Sequence, residues 1–60
     1  MSVPTFLSVA DVASVLYVSK MTVYRMIENG DLPALKINNR TFRVNQEDLH
    51  AYIAANMTTA

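Results

Sequence analysis

The stretch that decides the fold is residues 18–30, Val18-Ser19-Lys20-Met21-Thr22-Val23-Tyr24-Arg25-Met26-Ile27-Glu28-Asn29-Gly30. Ser19 is a good N-cap, because its hydroxyl can accept a hydrogen bond from a free backbone N–H of the first turn. Gly30 suits the position after a helix, because glycine adopts left-handed backbone angles without steric cost. These two signals predict a helix over about residues 20–29.

The two faces of this helix differ. Val23, Met26 and Ile27 recur at helical spacing and predict an apolar stripe that is buried in a core. At about 100° per residue, the opposite face and its flanks carry Lys20, Met21, Tyr24, Arg25 and Glu28. We therefore expect the stripe to hold the helix in place and the outer face to meet a partner.

Length and composition exclude several classes of protein. Sixty residues make one small domain, and a chain of this size buries only about 60% of the surface that its unfolded form exposes. The absence of cysteine excludes disulfides and thiolate metal sites, and the single histidine, His50, supplies no set of zinc ligands. No apolar run approaches the roughly 20 residues of a membrane span, and the N-terminus has no basic signal-peptide region. We expect a cytoplasmic protein without metal or cofactor.

No catalytic constellation stands out. Glu47 and Asp48 are adjacent, but they stand at a predicted helix start, where capping explains them better than acid–base chemistry. The single glycine, Gly30, excludes a glycine-rich phosphate loop. We therefore do not expect an enzyme.

Charge is polarised along the chain although its net value is zero. Five cations and two carboxylates give residues 20–43 a net charge of +3, and the remaining residues carry −3. A basic middle can bring one face to a polyanion while the other faces avoid it. Chance clustering of five side chains is the alternative. With this charge, the helix over residues 20–29 is predicted to lie in the major groove of DNA.

Another helix precedes this one. Ser8 and Asp11 have the spacing of a capping box. The apolar positions that follow at i, i+3, i+4 and i+7 are Val9, Val12, Ala13 and Leu16. They predict a helix over residues 9–16. Tyr17-Val18 joins the two helices, with Val18 buried in the elbow, and so short a connection predicts a helix-turn-helix unit.

A hairpin is predicted after the second helix. Residues 32–37 favour an edge strand because they contain Pro33, which a central strand does not accept. Residues 38–40 are typical of a turn, and residues 41–44 are rich in β-branched and aromatic side chains. The sequence therefore predicts two short antiparallel strands.

The faces of this hairpin fix a predicted register. With Asn39-Arg40 as a two-residue loop, the apolar pairs would be Ile37–Phe42 and Leu35–Val44. Lys36 would then lie opposite Arg43, and like charges in that arrangement are unfavourable unless an anion lies above them. This geometry suits a wing that binds DNA. The alternative is a hairpin whose charged face only meets solvent.

The last helix begins after Asn45, a good N-cap followed by acidic residues at the positive end of the helix dipole. Its apolar positions are Leu49, Tyr52, Ile53 and Met57. We expect this stripe to close the core. Residues 1–5 are predicted to form a flexible arm and residues 57–60 a frayed tail, which leaves residues 6–56 as the single domain.

Three outward side chains of the helix over residues 20–29 leave alternatives open. Arg25 lies nearly opposite the stripe and either contacts DNA or faces solvent. A contact with guanine would carry specificity, whereas a contact with phosphate would only position the helix. Tyr24 is a boundary residue, either a core aromatic or a contact at the groove edge. Met21 touches a thymine methyl group or belongs to a protein interface.

Two motifs carry a resemblance, Val18-Ser19-x-x-Thr22-Val23-Tyr24-Arg25 and Gly30-x-Leu32-Pro33-Ala34. With Ser8-Val9-Ala10-Asp11-Val12-Ala13 before them and Asp48-Leu49 and Tyr52-Ile53 after them, they span residues 6–53 and resemble the excisionase family. These are small winged helix-turn-helix proteins, similar to the DNA-binding domain of MerR-type regulators. The resemblance implies a mainly α fold with a small β-hairpin, ordered α-α-β-β-α, whose second helix enters the major groove.

The resemblance also implies contacts by position. On the recognition helix they would be Ser19, Lys20, Thr22, Tyr24 and Arg25, and on the wing Arg40 and Arg43. The residues themselves add Met21 on the helix and Lys36, Asn38 and Asn39 on the wing. The family usually has glycine where Tyr17 stands, so Tyr17 must adopt left-handed backbone angles or the turn must differ.

Excisionases bind arrays of sites beside a phage attachment site, bend that DNA and help a tyrosine integrase to excise the prophage. The resemblance implies this role at the bacterial nucleoid. One small module buries only about 600–1,000 Å² on DNA, which favours several copies bound side by side. A stand-alone MerR-like transcriptional regulator and a protein-interaction module are the alternatives. Neither a membrane nor a small-molecule ligand is expected as a partner.

Overall fold

The computed structural model describes residues 5–38 and 41–57. These residues form the elements β1 (Phe6–Ser8), α1 (Val9–Leu16), α2 (Lys20–Glu28), β2 (Leu35–Ile37), β3 (Thr41–Asn45) and α3 (Gln46–Asn56). The strands make an antiparallel sheet in the order β1-β3-β2. The predicted fold class is therefore confirmed, a mainly helical winged helix-turn-helix domain, with the addition of strand β1.

Each helix starts at the side-chain cap that the sequence predicts. The Ser8 hydroxyl accepts the Asp11 N–H at 3.1 Å while the Ser8 N–H donates to the Asp11 carboxylate at 3.3 Å, which completes a capping box. Ser19 and Asn45 cap α2 and α3 by accepting backbone N–H groups of their first turns. Helix α1 has the predicted bounds, and α2 ends at Glu28, one residue before its predicted end.

Helix α2 ends as the sequence predicts, at a left-handed glycine. Gly30 has a φ of 82°. Its N–H donates to the Ile27 carbonyl at 3.1 Å, and the Asp31 N–H donates to the Met26 carbonyl at 2.9 Å. These two bonds make a Schellman motif, which satisfies carbonyl groups that the helix leaves without partners.

Helix α1 ends in the same motif with a tyrosine in place of glycine. Tyr17 has a φ of 58° and a ψ of 44°. The Tyr17 N–H donates to the Ser14 carbonyl at 3.3 Å, and the Val18 N–H donates to the Ala13 carbonyl at 3.0 Å. Val18 is 39% exposed, so its predicted burial in the elbow is wrong. The hydrogen bond from its N–H to the Ala13 carbonyl fixes its backbone in the turn.

The core lies between the three helices and the inner face of the sheet. Its buried side chains are Val9, Val12, Ala13, Val23, Met26, Leu32, Val44 and Leu49. Ile27, Tyr52 and Ile53 are half-buried and pack against them. Met57 is 69% exposed and does not join the predicted stripe of α3, because the helix ends at Asn56 and Met57 has an extended backbone.

The segment before β2 is a loop and not a strand. The predicted strand over residues 32–37 is confirmed only for Leu35–Ile37. Leu32 is 1% exposed, and its N–H donates to the Met26 carbonyl at 3.2 Å. The end of α2 therefore fixes the backbone here and directs Leu32 into the core.

The register of the hairpin differs by one residue from the predicted one. Its pairs are Leu35–Arg43, Lys36–Phe42 and Ile37–Thr41, so residues 38–40 connect the strands in place of a two-residue loop. Asn38 has a φ of 58°, a left-handed conformation that asparagine tolerates. Residues 39 and 40 lie outside the described residues.

A shift of one residue moves side chains to the opposite face of a strand. Leu35 and Ile37, predicted on the buried face, are 53% and 40% exposed. Lys36 shares a face with Phe42 and does not oppose Arg43. The predicted hairpin with an apolar underside and a Lys/Arg upper side is wrong, because in the observed register Leu35 lies beside Arg43 and Lys36 beside Phe42.

Strand β1 was not among the predicted elements. Its three residues are too few for periodicity to identify a strand. Just before it, the Thr5 carbonyl accepts the Gln46 N–H at 2.8 Å, which ties this part of the chain to the start of α3. Apart from Thr5 and Met57, the predicted arm and tail lie outside the described residues, so the domain bounds stay a prediction.

Candidate nucleic-acid interface

Helix α2 presents the outer face that the sequence predicts. Val23 is fully buried and Met26 nearly so, whereas Met21 on the other side is 65% exposed. Lys20, Arg25 and Glu28 are also exposed. The predicted assignment of the two faces is confirmed, and the outer face carries two cations within two turns of helix.

Two of the predicted contact residues also build the start of α2. The Ser19 hydroxyl accepts the Thr22 N–H at 3.2 Å, and the hydroxyl oxygens of the two side chains lie 3.0 Å apart. Ser19 is exposed and Thr22 half-buried. Each hydroxyl has both a donor and acceptor sites, so the pair can hold the cap and still bind a phosphate oxygen.

Tyr24 connects α2 to the hairpin. Its ring meets the ring of Phe42 edge to face, with centroids 5.9 Å apart and an interplanar angle of 69°, an arrangement that aromatic pairs prefer. The side chain is 36% exposed. Tyr24 is therefore a boundary residue that packs on β3 with one side and remains open to solvent with the other.

A cleft of about 230 Å³ lies where α2, β3 and the start of α1 meet. It is lined by Ser8, Val9, Ala10, Lys20, Tyr24, Thr41, Phe42 and Arg43. Lys20, Tyr24 and Arg43, all predicted contacts, come together here from two elements. An ammonium group, a guanidinium group and several hydroxyls, with no acidic residue among the lining side chains, suit a phosphodiester group.

Arg43 is held by its own strand. Its Nη1 donates to the Phe42 carbonyl at 2.9 Å, and the side chain is half-buried. A guanidinium has five N–H donors, so this bond leaves others available. The bond orients a cation that reaches the cleft.

The other described wing residues, Lys36 and Asn38, do not line the cleft. Lys36 is exposed on one face of the hairpin, whereas Arg43 lies on the other face. Asn38 is exposed at the end of β2. Asn39 and Arg40 are outside the described residues. Sequence reasoning missed the part that Ser8–Ala10, Thr41 and Phe42 take in the cleft, because only the packing of β1 and α2 against β3 brings them together.

Acidic side chains gather elsewhere. A groove of about 410 Å³ beside α3 is lined by Asp31 and Asp48 together with Pro33, Ala51, Tyr52, Ala55 and Asn56, and no cation is among these residues. Two of the five carboxylates therefore lie together in a groove that is distinct from the cleft lined by Lys20 and Arg43. No helix among the described residues is long and apolar enough to cross a membrane.

A family model described as a helix-turn-helix domain matches residues 6–57, nearly all of the sequence and all of the elements above. The chain belongs to this helix-turn-helix domain family. The match covers the cleft, both helices of the helix-turn-helix unit and the hairpin.

Curated relatives share the same segment. A protein of Mycobacterium tuberculosis named "Putative DNA-binding protein", found in two strains, is 52% identical over 44 residues, which are 73% of this chain and 55% of that protein. The uncharacterized protein YvgK of Bacillus subtilis is 47% identical over 45 residues, 75% of this chain and 14% of that protein. The chain thus spans about half the length of the mycobacterial relative and a small part of YvgK. No solved structure matches the chain significantly.

Proposed function

We propose that this domain binds double-stranded DNA sequence-specifically, with α2 in the major groove and the hairpin against the backbone or minor groove. The observation that carries the proposal is the cleft in which Lys20, Tyr24 and Arg43 meet. Membership of the helix-turn-helix domain family and the name of the mycobacterial relative support it. On this proposal the protein acts at the nucleoid, in the cytoplasm of a bacterial host.

Each contact has a separate role in this proposal. Lys20 and Arg43 neutralise a phosphate at the cleft, and the hydroxyls of Ser19 and Thr22 bind another at the groove edge. Arg25 and Met21 face the base edges, where guanine and the thymine methyl group suit their chemistry. Lys36, Asn38, Asn39 and Arg40 contact the backbone from the hairpin.

The finer role we propose is that of an excisionase. Several copies bind side by side to repeated sites, bend the DNA and direct a tyrosine integrase to excise a prophage. The resemblance over residues 6–53 supports this role, as does the small area that one module of this size can bury on DNA.

A MerR-like transcriptional regulator is the second candidate. The observation that favours it is the relative YvgK, in which the matching segment makes up only 14% of the protein. The same kind of module therefore also occurs within much longer chains, as a regulator with further domains would require. Function belongs to the sites and partners that the module meets and not to the fold.

The salt dependence of affinity tests DNA binding. Neutralising Z phosphates makes log K fall with log salt at a slope of about −0.9Z, so Lys20→Ala should lower the steepness of the slope by about 0.9. Ala54→Glu, at an exposed position of α3, changes the net charge by the same amount and should leave the slope near that of the parent. Equal slopes for the parent and Lys20→Ala would contradict the placement of the cleft on DNA.

Selection of genomic fragments distinguishes the two candidate functions. Purified protein is used to capture fragments of the source genome, which are then sequenced. Enrichment of repeated sites beside an integrase attachment site supports the excisionase role, and enrichment at scattered promoters supports the regulator. No enrichment at low salt would remove both and favour a protein-interaction module.

A further inference from the structure

The fold itself does not require a tyrosine at position 17. Its side chain is 95% exposed, the highest value among the exposed large hydrophobic residues. Its φ of 58° lies in the left-handed region, where a Cβ atom is crowded by the neighbouring carbonyl oxygen. The ring contributes nothing to the core, and the backbone would be easier to form with glycine.

Helix α2 shows what the turn alone needs. It closes with the same pair of hydrogen bonds as α1, and there the left-handed position is Gly30. A strained residue with no packing role points to a function outside the domain. The exposed ring of Tyr17 is therefore available to contact another molecule.

The surroundings of Tyr17 favour a polyanion as that molecule. Residues 12–27 contain Lys20 and Arg25 but no aspartate or glutamate. Tyr17 precedes the Ser19 cap by two residues, next to the end of α2 that carries Lys20 and the exposed Met21. A DNA backbone that runs past Lys20 would meet no negative charge from this stretch of the chain.

We propose that Tyr17 contacts the sugar–phosphate backbone of DNA beside the groove that α2 enters. The phenol O–H donates a hydrogen bond to a phosphate oxygen, and the ring covers the adjacent deoxyribose. Tyrosine hydroxyls are among the groups that commonly bind phosphate oxygens, and the ring supplies apolar contact area at little entropic cost. This inference rests on the proposed function, since it adds a contact to the same DNA interface.

Substitution at position 17 tests the contact without endangering the fold. Tyr17→Gly removes the ring and suits the left-handed backbone, so its melting temperature should not fall below that of the parent. Its affinity should fall about tenfold for every duplex alike, because a hydrogen bond to a charged group and its ring contact are lost. Tyr17→Phe keeps the ring and loses only the hydroxyl, so its affinity should fall about threefold. Tyr17→Asn tolerates left-handed angles and serves as a second ring-free variant.

The salt slope identifies the kind of contact. A neutral phenol releases no counterion, so Tyr17→Gly should weaken binding with an unchanged slope, unlike Lys20→Ala. If the parent binds DNA with a salt-dependent affinity and the Gly and Asn variants bind as tightly, the inference is wrong while the proposed function stands. If these variants keep their DNA affinity and instead lose self-association in analytical ultracentrifugation, Tyr17 belongs to a protein interface. A parent that binds no duplex at any salt concentration overturns both the proposed function and this inference.

Discussion

On the proposed function, Arg25 is the side chain that we expect to bear most directly on sequence specificity. It is exposed on the face of α2 opposite buried Val23, so a duplex at this face would meet its guanidinium first. A guanidinium can donate two parallel hydrogen bonds to O6 and N7 of guanine, and such a pair contributes about 1–3 kcal/mol of discrimination against the wrong base. On the proposed function, we therefore expect Arg25 to read sequence.

We expect Arg25→Ala to lose that discrimination. Competition between the selected site and a site with one changed base pair should show the ratio of affinities reduced by roughly 1–3 kcal/mol. Arg25→Lys keeps the charge but not the planar fork, so it should retain more affinity than Arg25→Ala while losing discrimination in the same way.

Arg43 provides the comparison at the cleft. Arg43→Ala should weaken binding to all duplexes alike, because a phosphate contact carries no sequence information. If Arg25→Ala also weakened every duplex equally, Arg25 would be a phosphate contact and the assignment of base reading to it would be wrong. If both variants bound every duplex like the parent, the DNA face would lie elsewhere.

At the scale of elements, the loop before β2 and not the strand itself supplies the leucine that supports the core. In the observed register Leu35 is 53% exposed, whereas Leu32 in the preceding loop is 1% exposed. Leu32→Ala should cost about 2–5 kcal/mol of unfolding free energy, and Leu35→Ala only about 0.5 kcal/mol. Thermal or chemical denaturation of the two variants beside the parent measures both values.

The two variants are matched in chemistry and differ only in burial. In a domain of this size, a loss of 1 kcal/mol lowers the melting temperature by about 4–8 °C, so Leu32→Ala should melt roughly 8–40 °C below the parent. If Leu35→Ala were as destabilising as Leu32→Ala, Leu35 would be buried opposite Val44 and the observed register would be contradicted.

The helices could be predicted from local signals and the hairpin only in part. Ser8, Ser19 and Asn45 act on backbone groups within three residues of themselves, so the sequence near each helix is enough to locate its start. The register of β2 depends instead on how the whole domain packs: β3 pairs with β1 along one edge and with β2 along the other, and Leu32 rather than Leu35 fills the core. Packing between segments that are distant in sequence is not visible in a local pattern.

At the scale of the molecule, size limits what one copy can do on DNA. A single module buries only about 600–1,000 Å², so neighbouring copies on repeated sites should assist one another. We expect a duplex with three tandem sites to bind with a Hill coefficient above one, measured by electrophoretic mobility shift. A duplex with one site should bind with a Hill coefficient near one.

The spacing of the sites supplies the control. Moving the tandem sites apart by half a helical turn, about 5 base pairs, places neighbouring copies on opposite sides of the duplex and should remove the cooperativity while leaving the affinity of each site unchanged. Equal Hill coefficients for single, tandem and separated sites would contradict side-by-side binding and favour the regulator.

The sequence by itself determined the three helices, their caps, the left-handed residue Gly30 and the two faces of α2, whereas at Tyr17 it left two possible turns. Each of these follows from interactions within a few residues, whose free energy depends on local spacing alone. Only the tertiary structure decided the strand β1, the hairpin register, the burial of Leu32 and the cleft that joins Lys20 and Tyr24 to Arg43. These depend on how segments far apart in the sequence pair with one another and share one core volume, which only the packing of the whole chain determines.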